Sequence, residues 1–126
     1  MCWMPHRAMF YAASKALEEM KIDAIFTTDI DALLPPLRAA DFLICMGFSV
    51  NSAVGISRAT GKKVIACIGD SRSCHSGIAG LMNAVHNRHR FVLVILDNGT
   101  AAMTVDHPHP GVEITHPGLD KQSISI

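Results

Sequence analysis

The sequence has no surplus of either charge: 11 Lys and Arg stand against 11 Asp and Glu. A balanced chain carries no electrostatic footprint for nucleic acid. Aromatics are only 6% of the residues, too few to build stacking platforms for single strands. No apolar run approaches the ~20 residues needed to cross a bilayer, so no membrane association is expected. No basic stretch followed by an apolar one opens the chain, so a secretory leader is not expected and a cytoplasmic location is. The four cysteines, Cys2, Cys45, Cys67 and Cys74, form no CxxC pair, which leaves a zinc ribbon or an iron–sulfur cluster held by this chain unsupported. Cys45 and Cys67 lie inside apolar runs and are expected to be reduced thiols packed in the core. What the chain does have is apolar content, 49% of 126 residues, enough for one packed domain.

The order of patterns points to an α/β fold. Residues 6–20 place Met9, Ala13, Ala16, Leu17 and Met20 at helical spacing behind Pro5, where a missing N–H costs nothing. Four short apolar segments follow, at 22–30, 41–47, 62–70 and 91–99. Their Val- and Ile-rich runs suit strands buried on both faces of a parallel sheet. Helical patterns at 50–60 and 75–88 separate the later strands, so the expected architecture is a doubly wound α/β sheet. Ligands of such sheets bind beyond the carboxyl ends of the strands, here Thr27–Asp31, Cys45–Ser49, Gly69–His75 and Asp97–Ala101. After Asn98 periodicity stops, and the segment containing Pro108, Pro110 and Pro117 reads as a loop and a frayed tail. The sheet is expected to be cut short and completed by another domain or subunit.

The strongest chemical signal is a pair of motifs, Gly69-Asp70-Ser71 and Asn98-Gly99-Thr100, with 28 residues from Asp70 to Asn98. One βαβ unit spans about thirty residues, so the two tips lie side by side on one sheet edge. The Asp70 carboxylate, the Asn98 amide oxygen and the Thr100 carbonyl offer three hard oxygen ligands, half of an octahedral Mg²⁺ shell. Diphosphate oxygens and water would fill the rest, with Ser71 and a helix opening near His75 directing donors to the phosphates. Gly-Asp-Ser and Asp-Asn-Gly are also ordinary turn sequences; their pairing one crossover apart is what argues for metal and diphosphate.

These residues resemble the thiamine-diphosphate fingerprint, which begins GDG or GDS and ends in Asn about one crossover later. PHRAMFYAASKA at 5–16, LPPL at 34–37, CMG at 45–47, GKKVIACIGDSRSCHSGIAGLMNAV at 61–85, VILDN at 94–98, TAAMT at 100–104 and HPHPG at 107–111 narrow the likeness. Together they resemble the thiamine-diphosphate-binding domain of the indolepyruvate ferredoxin oxidoreductase α subunit. The resemblance implies a three-layer parallel-sheet domain, truncated at its C-terminus, over residues 1–111, with 112–126 as a tail. It also implies thiamine diphosphate and Mg²⁺ as cofactors, an arylpyruvate-type 2-oxoacid substrate, and electron transfer to ferredoxin. In that picture Asp70, Asn98 and the Thr100 carbonyl hold Mg²⁺, and Gly69 and Ser71 lie near the diphosphate. Met46-Gly47 falls where the family places the apolar prop under the bent coenzyme; core packing is the other reading of Met46.

Catalytic candidates under the resemblance are His75, which matches the family's HSG, and His6, from PHR. A helix cap is the alternative for His75. His107 and His109 would shape a loop over the cofactor, although the prolines alone explain a stiff turn. His86 and His89 read as solvent-facing. Gly77, Ala79, Gly80 and Ala84 allow close helix approach, for packing or for a subunit interface. The glutamate that activates the aminopyrimidine has to come from a pyrimidine-binding partner, so a homodimer or hetero-oligomer is expected and the chain alone is expected not to turn over. The family's opening CPGCPHR is replaced here by Met1-Cys2-Trp3-Met4-Pro5-His6-Arg7, its DIGC by Asp29-Ile30-Asp31-Ala32, and its GASIG by Gly47-Phe48-Ser49-Val50-Asn51. A degenerate coenzyme-binding module, a related 2-oxoacid decarboxylase and a plain α/β interaction domain are therefore the competing readings.

Overall fold

A computed structural model describes residues 5–29, 40–101 and 106–112. Helix α1 (Pro5–Met20) leads into strand β1 (Ala24–Thr28), edge strand β2 (Phe42–Leu43), helix α2 (Phe48–Thr60) and strand β3 (Lys63–Gly69). Then follow a short helix α3 (Asp70–Arg72), a π-helical turn (Ser73–Gly77), helix α4 (Ile78–His86) and strand β4 (Val92–Leu96). The four strands form one sheet in the order β2-β1-β3-β4, with every pairing parallel. This is the expected α/β fold.

Strand alternation sorts the core into two layers. On one face Phe26, Cys67 and Leu96, with Ile65 and Val94, pack against Phe10, Met9, Ala13 and Leu17 of α1. On the other, Val64 and Ala66, with Ile25, Phe91 and Leu93, pack against Ala53 and Ile56 of α2. Helix α4 lies beside α2, and a side-chain carbon at Gly80 would come within 2.9 Å of Asn51 Oδ1. Gly77, Gly80 and Ala84 are buried there as the small-residue reading expects, while Ala79 is exposed.

Four expectations are corrected. The anchor of α1 is Phe10, 3% exposed, and the helix buries positions 9, 10, 13 and 17; Ala16 and Met20 face outward. The segment 41–47 is no buried strand: β2 has two residues, both exposed, because it pairs with β1 on one side only. Cys45, just beyond this edge, is accordingly exposed rather than packed, while Cys67 at the sheet centre is fully buried. Finally, the helix after β3 begins at Asp70, not near His75, so the Asp itself stands in the first turn. No helix among the described residues is long and apolar enough to cross a membrane.

Candidate functional site at the carboxyl ends of the strands

Strands β1 and β3 run parallel and end one residue from two buried acids. Asp29 and Asp70 are 0% and 3% exposed, and backbone amides donate to both carboxylates.

Asp29 caps α2 from a distance. Its Oδ2 accepts the Gly47 N–H at 2.6 Å and its Oδ1 the Ser49 N–H at 2.8 Å, so the carboxylate sits on the positive end of the helix. Gly47 holds φ +77°, and a side-chain carbon there would fall 2.6 Å from Ser76 Oγ. Only glycine admits both that backbone turn and this close approach of α2 to the π-helical turn. Burial pushes the Cys67 thiol, one strand away, up to about 12, with the Asp29 charge adding to the effect.

Asp70 joins the tips of β3 and β4. Its Oδ1 accepts the Ser71 N–H at 2.7 Å, and its Oδ2 accepts the Asn98 N–H at 3.2 Å and the Gly99 N–H at 2.8 Å. The carboxylate that ends one strand thus fastens the turn that ends the next. Asn98 Oδ1 accepts the Thr100 N–H at 3.1 Å, which fixes the turn and leaves a second lone pair on that oxygen. Burial raises the Asp70 pKa, but hydrogen bonds from the Ser71 and Gly99 amides, together with the neighbouring His109 ring, outweigh it and bring it below the usual carboxylate value.

The two motifs singled out in the sequence are therefore in contact. Gly69 closes β3, Ser71 follows Asp70 in α3, and Thr100 comes two residues after Asn98. Met46, 39% exposed, stands at the entrance to α2 rather than in the core, beside the buried Gly47. His75 lies exposed in the π-helical turn and His6 half-buried in the first turn of α1. Asp31, Ala32 and the first four residues, where the sequence departs from the family pattern, lie outside the described residues. Most of the 112–126 segment does too.

Two residues have contacts that the sequence reading did not assign them. Asp29 gave only the signal of an acid at the end of a β-run. His109 stands in HPHPG, and its ring is buried with Nε2 3.1 Å from Asp70 Oδ2. Three buried hydroxyls, Thr28 Oγ1, Ser49 Oγ and Ser76 Oγ, have no hydrogen-bond partner; they belong to the end of β1, the first turn of α2 and the π-helical turn. Orphaned hydroxyls cost roughly 1–3 kcal/mol each, so their collection at the ligand end of the sheet suits an absent polar ligand.

The family described as Thiamine pyrophosphate enzyme, C-terminal TPP binding domain, matches residues 28–125. The chain is 50% identical over 129 residues to the Indolepyruvate oxidoreductase subunit IorA of Methanothermobacter marburgensis, covering 97% of this chain and 21% of that protein. It is 46% identical over 111 residues to the subunit of the same name from Archaeoglobus fulgidus, covering 85% and 18%. With that of Pyrococcus horikoshii it is 39% identical over 136 residues, covering 94% and 20%. The chain thus spans about a fifth of the length of these curated relatives. No solved structure gives a significant match. With its parallel sheet and the Asp70–Asn98 tips in place, the chain belongs to the thiamine pyrophosphate enzymes, as their C-terminal TPP-binding domain.

Proposed function

We propose that this domain binds thiamine diphosphate through Mg²⁺ at the tips of β3 and β4, as the cofactor-binding part of an indolepyruvate-type 2-oxoacid ferredoxin oxidoreductase. The observation that carries the reading is the fastening of the Asn98-Gly99 turn onto the buried Asp70 carboxylate. It ties the tips of β3 and β4 together, which supports the reading of the Asp70 carboxylate, the Asn98 amide oxygen and the Thr100 carbonyl as the hard-oxygen set that Mg²⁺ takes. Among the described residues no three His, Cys, Asp or Glu side chains gather into a metal cage; a soft or transition-metal centre is not what this donor set suits.

Asp70, Asn98 and the Thr100 carbonyl would hold the metal, and Ser71 with the orphaned Ser49 and Ser76 hydroxyls would supply donors to the diphosphate. The coenzyme, once bound, supplies the carbanion chemistry that decarboxylates a 2-oxoacid. The chain's own residues bind and orient it: Asp29 and Gly47 fix the start of α2, Met46 offers an apolar prop beside it, and His75 and His6 are the candidate proton carriers. The free thiols Cys45, Cys67 and Cys74 fit a cytoplasmic setting.

The apolar residues Ile78, Leu81, Met82 and Val85 lie exposed along α4 at the spacing of one helix face. Such a face supports the expectation of a pyrimidine-binding partner, from a second copy or another subunit. Thermal unfolding of the full chain tests the reading. Mg²⁺ plus thiamine diphosphate at 100 times Kd stabilises a binder by about 2.7 kcal/mol, and Asp70→Ala abolishes the rise. A wild-type chain whose melting point ignores the pair together refutes the proposal.

A further inference from the structure

We propose that His109 is a positioning residue that strap-locks the Asp70 carboxylate by its Oδ2 and turns Oδ1 toward the cation. The inference rests on the reading of Asp70 as a metal ligand and goes beyond it, because it assigns a role to a ring on a different segment.

The hydrogen bonds decide the tautomer. Gly111 N–H points at His109 Nδ1 at 3.1 Å. A backbone amide can only donate, so Nδ1 is the bare nitrogen and the proton of a neutral ring sits on Nε2. Nε2 lies 3.1 Å from Asp70 Oδ2. The ring therefore passes a hydrogen bond in one direction, from the Gly111 amide to the Asp70 carboxylate, without needing to gain a proton.

The count of N–H donors on the two carboxylate oxygens is unequal as a result. Oδ2 takes Asn98 N, Gly99 N and His109 Nε2, while Oδ1 takes Ser71 N. A carboxylate offers about four acceptor positions, so the crowded oxygen is spent on structure and the other keeps room for a metal. Groups that hold a metal's ligands in orientation contribute to affinity much as the ligands do. The segment is built to hold its place: Pro108 and Pro110 flank the ring and fix φ on either side, and the Ala101 N–H donates to the His107 carbonyl at 3.0 Å, folding the chain back toward β4. Burial of both side chains, 6% and 4% exposed, keeps water from replacing the ring.

The test uses the full chain with thiamine diphosphate and Mn²⁺ as the spectroscopic probe, free Mn²⁺ being read by electron paramagnetic resonance. His109→Ala weakens Mn²⁺ ten- to a hundredfold, and His109→Gln, whose amide N–H reaches the same oxygen, recovers most of the loss. Unfolding curves of both variants are taken alongside. If wild type holds no Mn²⁺, the metal reading and this inference fall together. Should wild type bind and His109→Ala bind equally well or more tightly, only the positioning role is refuted. For the case that the Ala variant does not fold, nitrogen NMR of the wild-type ring decides. A bare Nδ1 and a protonated Nε2 support the strap, and the reverse tautomer overturns it.

Discussion

Asp70 shows how one side chain can serve fold and site together. Its carboxylate is buried, yet its pKa lies below the ordinary value because the Ser71 and Gly99 amides and the His109 ring outweigh desolvation. A group depressed in the folded state contributes stability that is complete above its unfolded value, about 3.9, and is lost as pH falls through the folded one. Stability of the chain is therefore expected to decline below about pH 4. An Asp70→Asn variant, lacking that carboxyl, shows a shallower decline in urea unfolding followed from pH 6 to pH 3. Equal slopes for the two proteins would show that the carboxylate is not held in its charged form. The pairing of Asp70 with Asn98 was legible in the sequence, since a strand tip and a crossover length fix where the two fall. His109 was not legible as a partner: the proline-rich segment carries no periodicity, and only the return of the chain over β4 brings its ring to Asp70.

At the scale of elements, the start of α2 is closely packed. Gly47 turns the backbone at φ +77° while the Asp29 carboxylate holds its N–H and the π-helical turn presses on it. Gly47→Ala is expected to cost about 1–3 kcal/mol, from the left-handed backbone together with the collision with Ser76. Gly61, the C-cap of the same helix, also sits at positive φ, +67°, but has nothing within 4 Å. Gly61→Ala should lose only the conformational part, about 1–2 kcal/mol. Equilibrium unfolding of the two variants separates the terms, and equal losses would show that the contact with Ser76 yields at no cost. Helices and strands were readable from period and composition, boundaries less so. Strand β2 shrank to two residues because an edge strand gains pairing on one side only. The helix after β3 began five residues early because Asp70 and Ser71 take up its first turn.

At the scale of the molecule, the described residues expose apolar side chains on the α4 face, at Ile78, Leu81, Met82 and Val85, and on the edge carrying Phe42, Leu43, Ile44 and Met46. Exposed apolar residues in such number mark contact surfaces, and the chain accounts for about a fifth of its relatives' length. In gel filtration the chain is expected to elute above its 13.6 kDa mass, increasingly so at higher concentration. Met82→Glu with Val85→Glu is expected to restore the monomer while leaving stability within about 0.5 kcal/mol, as for surface substitutions. A wild-type chain that stays monomeric at every concentration would remove self-association from this face.

What the residues alone determined is the class of fold and the two tips where chemistry gathers, because both follow from local rules: strand and helix periods, turn residues and the length of one crossover. Tertiary structure decided which oxygen of Asp70 is spent on the turn, that Asp29 caps a helix eighteen residues away, and that a histidine from the proline-rich segment reaches Asp70. These depend on distances between segments remote in the chain, which burial and hydrogen-bond satisfaction set only once the sheet has formed.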